Sequence, residues 1–139
     1  MTIVYDVRAQ DLIKVVSDKL KTYDSLVAPE WTKYVKTGAH VERPPEQSDW
    51  WYTRLAAILR SLYIKGPVGV ERLRTKFGAR RKRRYGYAPK QHVKAGGKLI
   101  RTALQMLEAE GLVELVKGKG RKLTPQGKSL LDKLAGELA

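Results

Sequence analysis

The stretch from residue 50 to residue 65 constrains the fold most, because it carries the widest apolar face in the chain. Its apolar residues recur every three or four positions, which places them on one side of an α-helix. A helix with so wide an apolar face must bury it, so we expect this helix at the centre of a helical domain. The residues of that face are Trp51, Leu55, Ile58, Leu59 and Leu62.

Helical spacing of apolar residues recurs in several other segments. Asp6 is placed to cap the first helix, and Ser48 or Asp49 to cap the central one. Gly111 predicts the end of a helix, and the alternating stretch and glycine turn that follow it predict a β-hairpin. We therefore predict helices at about 8–21, 29–34, 49–65, 69–77, 98–110 and 125–138, and a hairpin at about 112–123.

The order of the later elements is that of a winged helix. The helices at 69–77 and 98–110 would form a helix-turn-helix, and the hairpin at 112–123 would be the wing. Two strands are too few to stand alone, so the hairpin must lean on the helices. The sequence thus predicts a mainly α fold, a winged-helix-like domain with additional N-terminal helices around a central amphipathic helix and one small β-hairpin wing. No repeat or linker divides the chain, so residues 1–139 are expected to form a single domain.

Positive charge is concentrated in the later part of the chain. The net charge is +14, from 28 lysines and arginines against 14 aspartates and glutamates. Residues 1–50 hold seven of these cations and eight of the acids, whereas residues 72–101 hold twelve cations and no acid. Such an excess favours a polyanionic partner, with nucleic acid ahead of an anionic membrane surface.

The basic segment 78–97 contains five adjacent cations, Arg80 to Arg84, and Tyr85 and Tyr87 follow them. Adjacent cations repel one another and cannot share a core, so the segment is predicted to be a solvated loop. One interpretation is that the run is a solubilising segment or a localisation signal. The interpretation we favour is a phosphate-binding loop that becomes ordered on its partner, with two tyrosines able to stack on bases.

Trp50 falls on the outer side of the central helix, one turn before Arg54. An exposed tryptophan beside an arginine suggests stacking on a base or contact with a nucleotide. The alternative is that the loop holding Pro44 and Pro45 covers this indole. Arg54 and Arg60 share the polar side of the helix and are candidates for phosphate binding.

The helix at 98–110 and the wing supply further candidates. Lys98 and Arg101 lie on the outer face of that helix, where a solvated surface helix would carry similar residues. In the wing, Lys119 and Arg121 flank glycines, which let backbone N–H groups come close to phosphate. A plain hairpin turn with soluble flanks would have the same composition.

The residue types that catalysis or metal binding requires are missing or isolated. The absence of cysteine excludes disulfides, thiol catalysis and cysteine-based zinc sites. His40 and His92 have no carboxylate or second histidine at the spacing of a metal site or a catalytic triad. Gly96-Gly97-Lys98 lacks the preceding glycine and the spacing of a phosphate-cradling P-loop. We therefore expect no enzymatic activity, no catalytic residue, no metal and no cofactor.

The start of the chain lacks the basic and apolar regions of a secretory signal. The longest mostly apolar stretch, 55–64, is interrupted by Arg60 and is too short to cross a bilayer. We expect a cytoplasmic protein.

Several stretches resemble one protein family, in the same order along the chain. They are PEW at 29–31, VKT at 35–37, DWWYTRLAA at 49–57, GPVGV at 66–70, IRTALQMLE at 100–108 and GRKLTPQG at 120–127. The set is similar to the S19e family of archaeal and eukaryotic small-subunit ribosomal proteins. This resemblance implies a winged-helix-like domain in the head of the small subunit that binds ribosomal RNA and is not an enzyme. It also implies a need for the protein in maturation of the small-subunit precursor.

The same resemblance implies that the RNA-facing surface includes the central helix, the start of the helix at 98–110 and the basic loop. Adding the cations that the residues themselves suggest gives the full set of predicted RNA contacts. They are Trp50, Arg54, Arg60, Arg72, Arg74, Lys76, Arg80, Arg81, Lys82, Arg83, Arg84, Lys98, Arg101, Lys119 and Arg121.

Three functions compete for a basic chain of this kind: a structural RNA-binding protein of the ribosome, a winged-helix DNA-binding regulator and a binder of membrane surfaces. A dimeric regulator needs a dimerisation element, and no long heptad helix or spare apolar stripe is present. Membrane binding needs exposed apolar faces, which these helices need for the core. We favour the first function, with small-subunit ribosomal RNA and neighbouring ribosomal proteins as partners, no membrane, and a monomer off the ribosome.

Overall fold

The structure is a computed structural model that describes residues 3–41, 43–80 and 91–138. Arg81, Lys82, Arg83 and Arg84, which we predict to bind RNA, lie outside the described residues. Helix α1 spans Ala9–Leu20 and helix α2 spans Trp50–Lys65. Between them lie short 3-10 helices at Asp24–Leu26 and Glu30–Lys33, the second where the sequence suggests a helix at 29–34.

Helix α2 is the centre of the fold. It packs against α1, against the C-terminal helix α5 (Pro125–Leu138) and against the wing. Its side chains are buried around most of its circumference, including Ser61, which is only 1% exposed. Its outer side is therefore less open to solvent than helical spacing suggests, because another helix, α3 (Val70–Phe77), covers part of it.

The helix-turn-helix consists of α3 and α4 (Gly97–Ala109), and the wing consists of β3 (Val113–Val116) and β4 (Gly120–Leu123). The two strands pair in antiparallel register, with Val113 opposite Leu123. The mainly helical, winged-helix-like fold class is confirmed.

A second strand pair corrects the expectation of one small hairpin. Strand β1 (Ala79–Arg80) pairs with β2 (His92–Val93) in antiparallel register, and so joins the two ends of the basic segment. Each strand has two residues, which is too short for an alternating pattern to reveal.

Neither acid that we expect to cap a helix does so through its carboxylate, although Asp49 occupies the N-cap position of α2. Helix α1 begins after Arg8, and the Asp6 carboxylate instead accepts the backbone N–H of Ile3 at 3.0 Å. Asp49 precedes α2, but its carboxylate accepts from Lys21 Nζ at 2.8 Å and ties α2 to the end of α1. In both cases a competing donor takes the carboxylate that local sequence assigns to the helix.

Candidate nucleic-acid interface

A groove about 600 Å³ in volume separates the tip of the wing from the start of α3, and Arg72 and Lys119 stand on its two sides. Backbone hydrogen bonds hold the wing in place: Val68 N–H donates to the Arg121 carbonyl at 2.9 Å, and Arg121 N–H donates to the Val68 carbonyl at 3.0 Å. The structure therefore brings together two predicted contacts that are 47 positions apart in the chain.

Glycine is required where the wing meets α3. Gly120 has a φ of +100°, and a Cβ on it would lie 2.5 Å from the Val68 carbonyl carbon. Both the backbone conformation and the close approach exclude a larger residue. The backbone contact between Gly120 and Val68 therefore sets how closely the wing approaches the segment that leads into α3.

The exposed side of α3 continues from this groove toward the C-terminal end of α2. Arg72 and Lys76 are four residues apart and share one face of α3. Lys76 Nζ donates to Ser61 Oγ at 2.6 Å, which places Lys76 against α2. Burial of its ammonium and the positive charges of Lys65 and Arg60 lower the pKa of Lys76. Three cations thus gather here, and sequence reasoning missed Lys65, although it lies one helical turn after Ser61.

Two predicted contacts are engaged by acids of the protein itself. Arg74 Nη1 lies 2.9 Å from Glu71 Oε1, and Arg74 Nε donates to the Ala95 carbonyl at 2.8 Å. Arg121, whose side chain is only 18% exposed, lies 3.4 Å from Glu108 through its Nε. These contacts give both arginines a structural role in the free protein: Arg74 joins α3 to the start of α4, and Arg121 joins the wing to α4.

The remaining described candidates lie on α4 and β1. Lys98 Nζ lies 4.8 Å from the centre of the Trp31 ring, so this ammonium already makes a cation–π contact. Arg101, one turn later, is exposed and forms no salt bridge with any described residue. Arg80 is exposed in β1, where the basic run begins.

Trp50 and Arg54 line a cavity of about 420 Å³ beneath the loop that precedes α2. Trp50 is half-buried and packs edge-on against Trp51, with ring centres 5.9 Å apart. Pro45 lines the same cavity, and so the loop covers the indole in part while leaving one side open.

Arg54 occupies a different place from the solvent-facing one expected. Its guanidinium carbon lies 4.5 Å from the centre of the Phe77 ring, between α2 and α3, and burial lowers the pKa of Arg54. Arg54 therefore packs α2 against α3, and it also lines the cavity.

His40 directly precedes Val41, which lines this cavity, and is half-buried. Burial lowers the pKa of His40, and the positive charges of Arg54, His92 and Lys36 lower it further. Its Nδ1 atom is buried without a hydrogen-bond partner among the described residues. Protonation of this ring therefore opposes folding.

We expect the free energy of unfolding to fall as the pH drops below the ordinary His40 pKa of 6.5. The unfolded chain then binds a proton that the folded protein resists, so acid favours unfolding. The lowered pKa values of Asp49 and Glu71, caused mainly by hydrogen bonds from Lys21 and Lys94, act only below their ordinary values of 3.8 and 4.5.

The measurement is urea unfolding of the wild type and of His40→Gln between about pH 7.5 and about pH 5.5, above the carboxylate range. The variant should lose less stability than the wild type over this interval. Parallel pH profiles for the two proteins would contradict the assignment to His40.

The described residues contain neither a cluster suited to hold a metal ion nor a helix suited to cross a membrane. No group of three or more histidines, aspartates and glutamates among residues 3–41, 43–80 and 91–138 is placed to hold a metal ion. Within those ranges, no helix has the length and apolar character needed to cross a bilayer.

Comparison with known proteins agrees with the resemblance drawn from the motifs. The family described as ribosomal protein S19e matches residues 3–139. A relative from Haloarcula marismortui, named small ribosomal subunit protein eS19, is 44% identical over 140 residues, which cover 99% of this chain and 92% of the relative.

Relatives with the same name come from distant organisms. The one from Aeropyrum pernix is 48% identical over 96% of this chain and 87% of its own length. The one from Mya arenaria is 39% identical over 98% of this chain and 90% of its own length. The fold, the conjunction of motifs and these matches over nearly the whole length lead to one conclusion: the chain belongs to the ribosomal protein S19e family.

Proposed function

We propose that this protein binds ribosomal RNA as a structural component of the small ribosomal subunit, and that maturation and assembly of the subunit require it. The family and the names of the relatives support the ribosomal role. The observation that carries the RNA-binding part is the groove between the wing and α3, which places Arg72 and Lys119 opposite each other. Its partners are small-subunit ribosomal RNA and neighbouring ribosomal proteins, in the cytoplasm.

The arrangement of the cations suits the outside of folded RNA. The major groove of A-form RNA is too deep and narrow for side chains to read, so a protein binds phosphates and sugars from several directions. Here the cations come from α2, α3, α4 and the wing rather than from one helix. Phosphate contacts of this kind determine position and orientation and contribute most of the salt-dependent affinity.

The cavity beside Trp50 suits an unpaired nucleotide of the same RNA. Its walls include the Trp50 indole and the Phe77 ring, and Arg54 and Arg43 supply positive charge at its border. Unstacked bases bind aromatic side chains by stacking, and guanidinium groups bind the adjoining phosphate. Trp50 and Arg54 would then act together on one nucleotide.

The placement of α4 argues against a winged-helix DNA regulator. Such a protein reads bases with the N-terminal residues of its second helix, which must enter the major groove. Here the segment before α4 is held by the N-terminal part of the chain, since Gly96 N–H donates to the Thr37 carbonyl at 2.8 Å. Lys98, in the first turn of α4, lies over the Trp31 ring. The backbone before α4 and the ammonium of Lys98 thus already have partners within the protein, although Lys98 is exposed.

Co-sedimentation with small ribosomal subunits tests the proposal. The tagged protein should migrate with the small-subunit peak when cell lysate is separated on a sucrose gradient. The variant Arg72→Gln/Lys119→Gln should shift toward the top of the gradient, because two phosphate contacts are lost. The control Lys14→Gln/Lys133→Gln removes the same charge from exposed positions on α1 and α5 and should migrate like the wild type. A wild-type protein that stays at the top of the gradient would refute the proposal.

A further inference from the structure

Strand β3 forms the outer edge of the wing, and its register with β4 shows which of its residues face outward. The backbone N–H and carbonyl of Arg121 point away from β3, because both bond to Val68, at 3.0 and 2.9 Å. Leu115 lies directly opposite Arg121 in the hairpin. Opposite residues of an antiparallel pair either exchange both hydrogen bonds or turn both groups away from each other. Leu115 therefore directs its own N–H and carbonyl outward from β3.

The two sides of the wing differ in what meets them. On the side of β4, Val68 forms a single antiparallel bridge to Arg121. In the part of the chain that the structure describes, no strand or bridge pairs with the outer side of β3. Val113 is buried there, whereas Leu115 is 61% exposed. The accessible edge thus presents the N–H and carbonyl of Leu115 together with an exposed apolar side chain.

Hydrogen bonds at both ends of β3 hold this edge in place. At the base of the wing, Leu112 N–H donates to the Leu107 carbonyl, and Thr124 N–H donates to the Leu112 carbonyl, both at 3.1 Å. At the tip, Lys119 N–H donates to the Val116 carbonyl at 3.1 Å. The carbonyls of Leu112 and Val116 both turn inward, as the alternation along β3 requires. The edge is therefore formed in the folded protein and can serve as a template for another strand.

The chemistry of the edge favours a protein segment as its occupant. A donor and an acceptor on one residue are matched by the carbonyl and N–H of another extended chain. An RNA phosphate offers acceptors alone and gains nothing from an exposed leucine. Natural edge strands are often protected by charged residues or proline, but Leu115 is neither.

Charges near the edge specify the partner further. The Glu114 carboxylate is met by Lys122 Nζ at 3.3 Å, whereas Lys117 is exposed and forms no ion pair with a described residue. An acidic residue of the partner would complement Lys117. A second copy of this chain would instead bring a further net charge of +14, which opposes association.

We propose that the outer edge of β3 at Leu115 binds an extended segment of another protein, which adds to the wing as a β-strand. The segment exchanges two backbone hydrogen bonds with Leu115, covers its side chain with an apolar residue and places a carboxylate near Lys117. The inference rests on the proposed function for the source of the segment, a neighbouring protein of the small subunit. The groove that we assign to RNA lies on the Val68 side, so the wing separates the two partners.

The first experiment compares backbone amide exchange in the isolated protein and in purified small subunits, read at single-residue resolution by mass spectrometry. The Leu115 amide should exchange about tenfold or more slowly in the subunit, because a backbone hydrogen bond protects it. The Glu114 amide faces β4 and should be protected in both states. Equal exchange of Leu115 in both states would overturn the inference while the proposed function stands. Subunits that lack the protein would overturn the proposed function itself.

The second experiment identifies the occupant. The photo-crosslinker p-benzoylphenylalanine replaces Leu115, and purified small subunits are irradiated. A crosslink that maps to an extended segment of another ribosomal protein, with an apolar and an acidic residue, is expected. The same crosslinker in place of Lys133, on the exposed surface of α5, should not join that segment. A crosslink to RNA or to a second copy of this chain, or no crosslink, would overturn the inference.

The third experiment tests the apolar contact by washing small subunits with about 1 M salt, which reduces the screening length to about 3 Å and weakens phosphate contacts. Leu115→Thr should then dissociate about tenfold or more faster than the wild type, as expected when a buried leucine contact is lost. Leu115→Ile should be retained. Both variants should keep the wild-type melting temperature and the wild-type affinity for a ribosomal RNA fragment. Equal dissociation of Leu115→Thr and the wild type, or a clear fall in its melting temperature, would overturn the inference.

Discussion

Binding of this protein to ribosomal RNA is expected to weaken about a thousandfold or more when the salt concentration rises from about 50 mM to about 200 mM. Each phosphate that a cation neutralises releases counterions from the RNA, and about six to ten such contacts give a loss of that size. Among the described residues, the exposed cations that could contact phosphates include Arg72, Lys76, Arg101 and Lys119. Contacts of this number and kind make the affinity electrostatic.

Fluorescence anisotropy with a labelled fragment of small-subunit ribosomal RNA, titrated at a series of salt concentrations, measures the slope. Arg72→Gln/Lys119→Gln should reduce the slope by about two, because each residue accounts for about one phosphate. Lys14→Gln/Lys133→Gln, which removes equal charge outside the groove, serves as the control. A wild-type affinity that hardly changes with salt would show that hydrogen bonding or stacking, rather than phosphate contact, dominates.

Replacement of Trp51 by alanine is expected to lower the free energy of unfolding by about 3–5 kcal/mol, as large-to-small changes of buried aromatic residues do. Trp51 is 1% exposed and lies against the rings of both Trp31 and Trp50, each with a centre-to-centre distance of 5.9 Å. Its Nε1 atom has no hydrogen-bond partner among the described residues, so the loss comes from packing.

Urea unfolding of the purified variant measures this change. Tyr34→Ala is the matched control, because that ring is 76% exposed and its removal should change stability little. Trp51→Phe should fall between the wild type and the alanine variant, since a phenyl ring fills part of the space. A stability loss for Trp51→Ala no larger than that for Tyr34→Ala would contradict the assignment of Trp51 to the core and of α2 to the centre of the fold.

The sequence predicts well those features that depend on one segment at a time. The apolar spacing of α2 indicates a central helix, and the glycines at 118 and 120 indicate the turn of the wing, since both signals are contained within about fifteen residues. The fold class followed from the order of such segments. The groove between the wing and α3 could not be predicted, because it depends on how Gly120 approaches Val68 across a long stretch of chain.

Side-chain partners were harder to predict than elements. Helical spacing places Arg54 on a polar face, but only the position of α3 shows that Phe77 covers it. The pairing of Arg121 with Glu108 joins the wing to α4 and leaves no trace in local sequence. Arg74 is different, because Glu71 precedes it by three residues, a spacing that predicts an ion pair on a helix.

The close approach of Gly120 to Val68 has a consequence for the proposed binding of RNA. Because main-chain atoms meet there without a side chain between them, the spacing between the wing backbone and the segment that leads into α3 does not depend on side-chain packing. The two backbone segments that carry Arg72 and Lys119 are therefore already held in place in the folded protein. A strand of RNA that fits between them need not order the wing as it docks, and the entropy of that ordering has already been spent in folding.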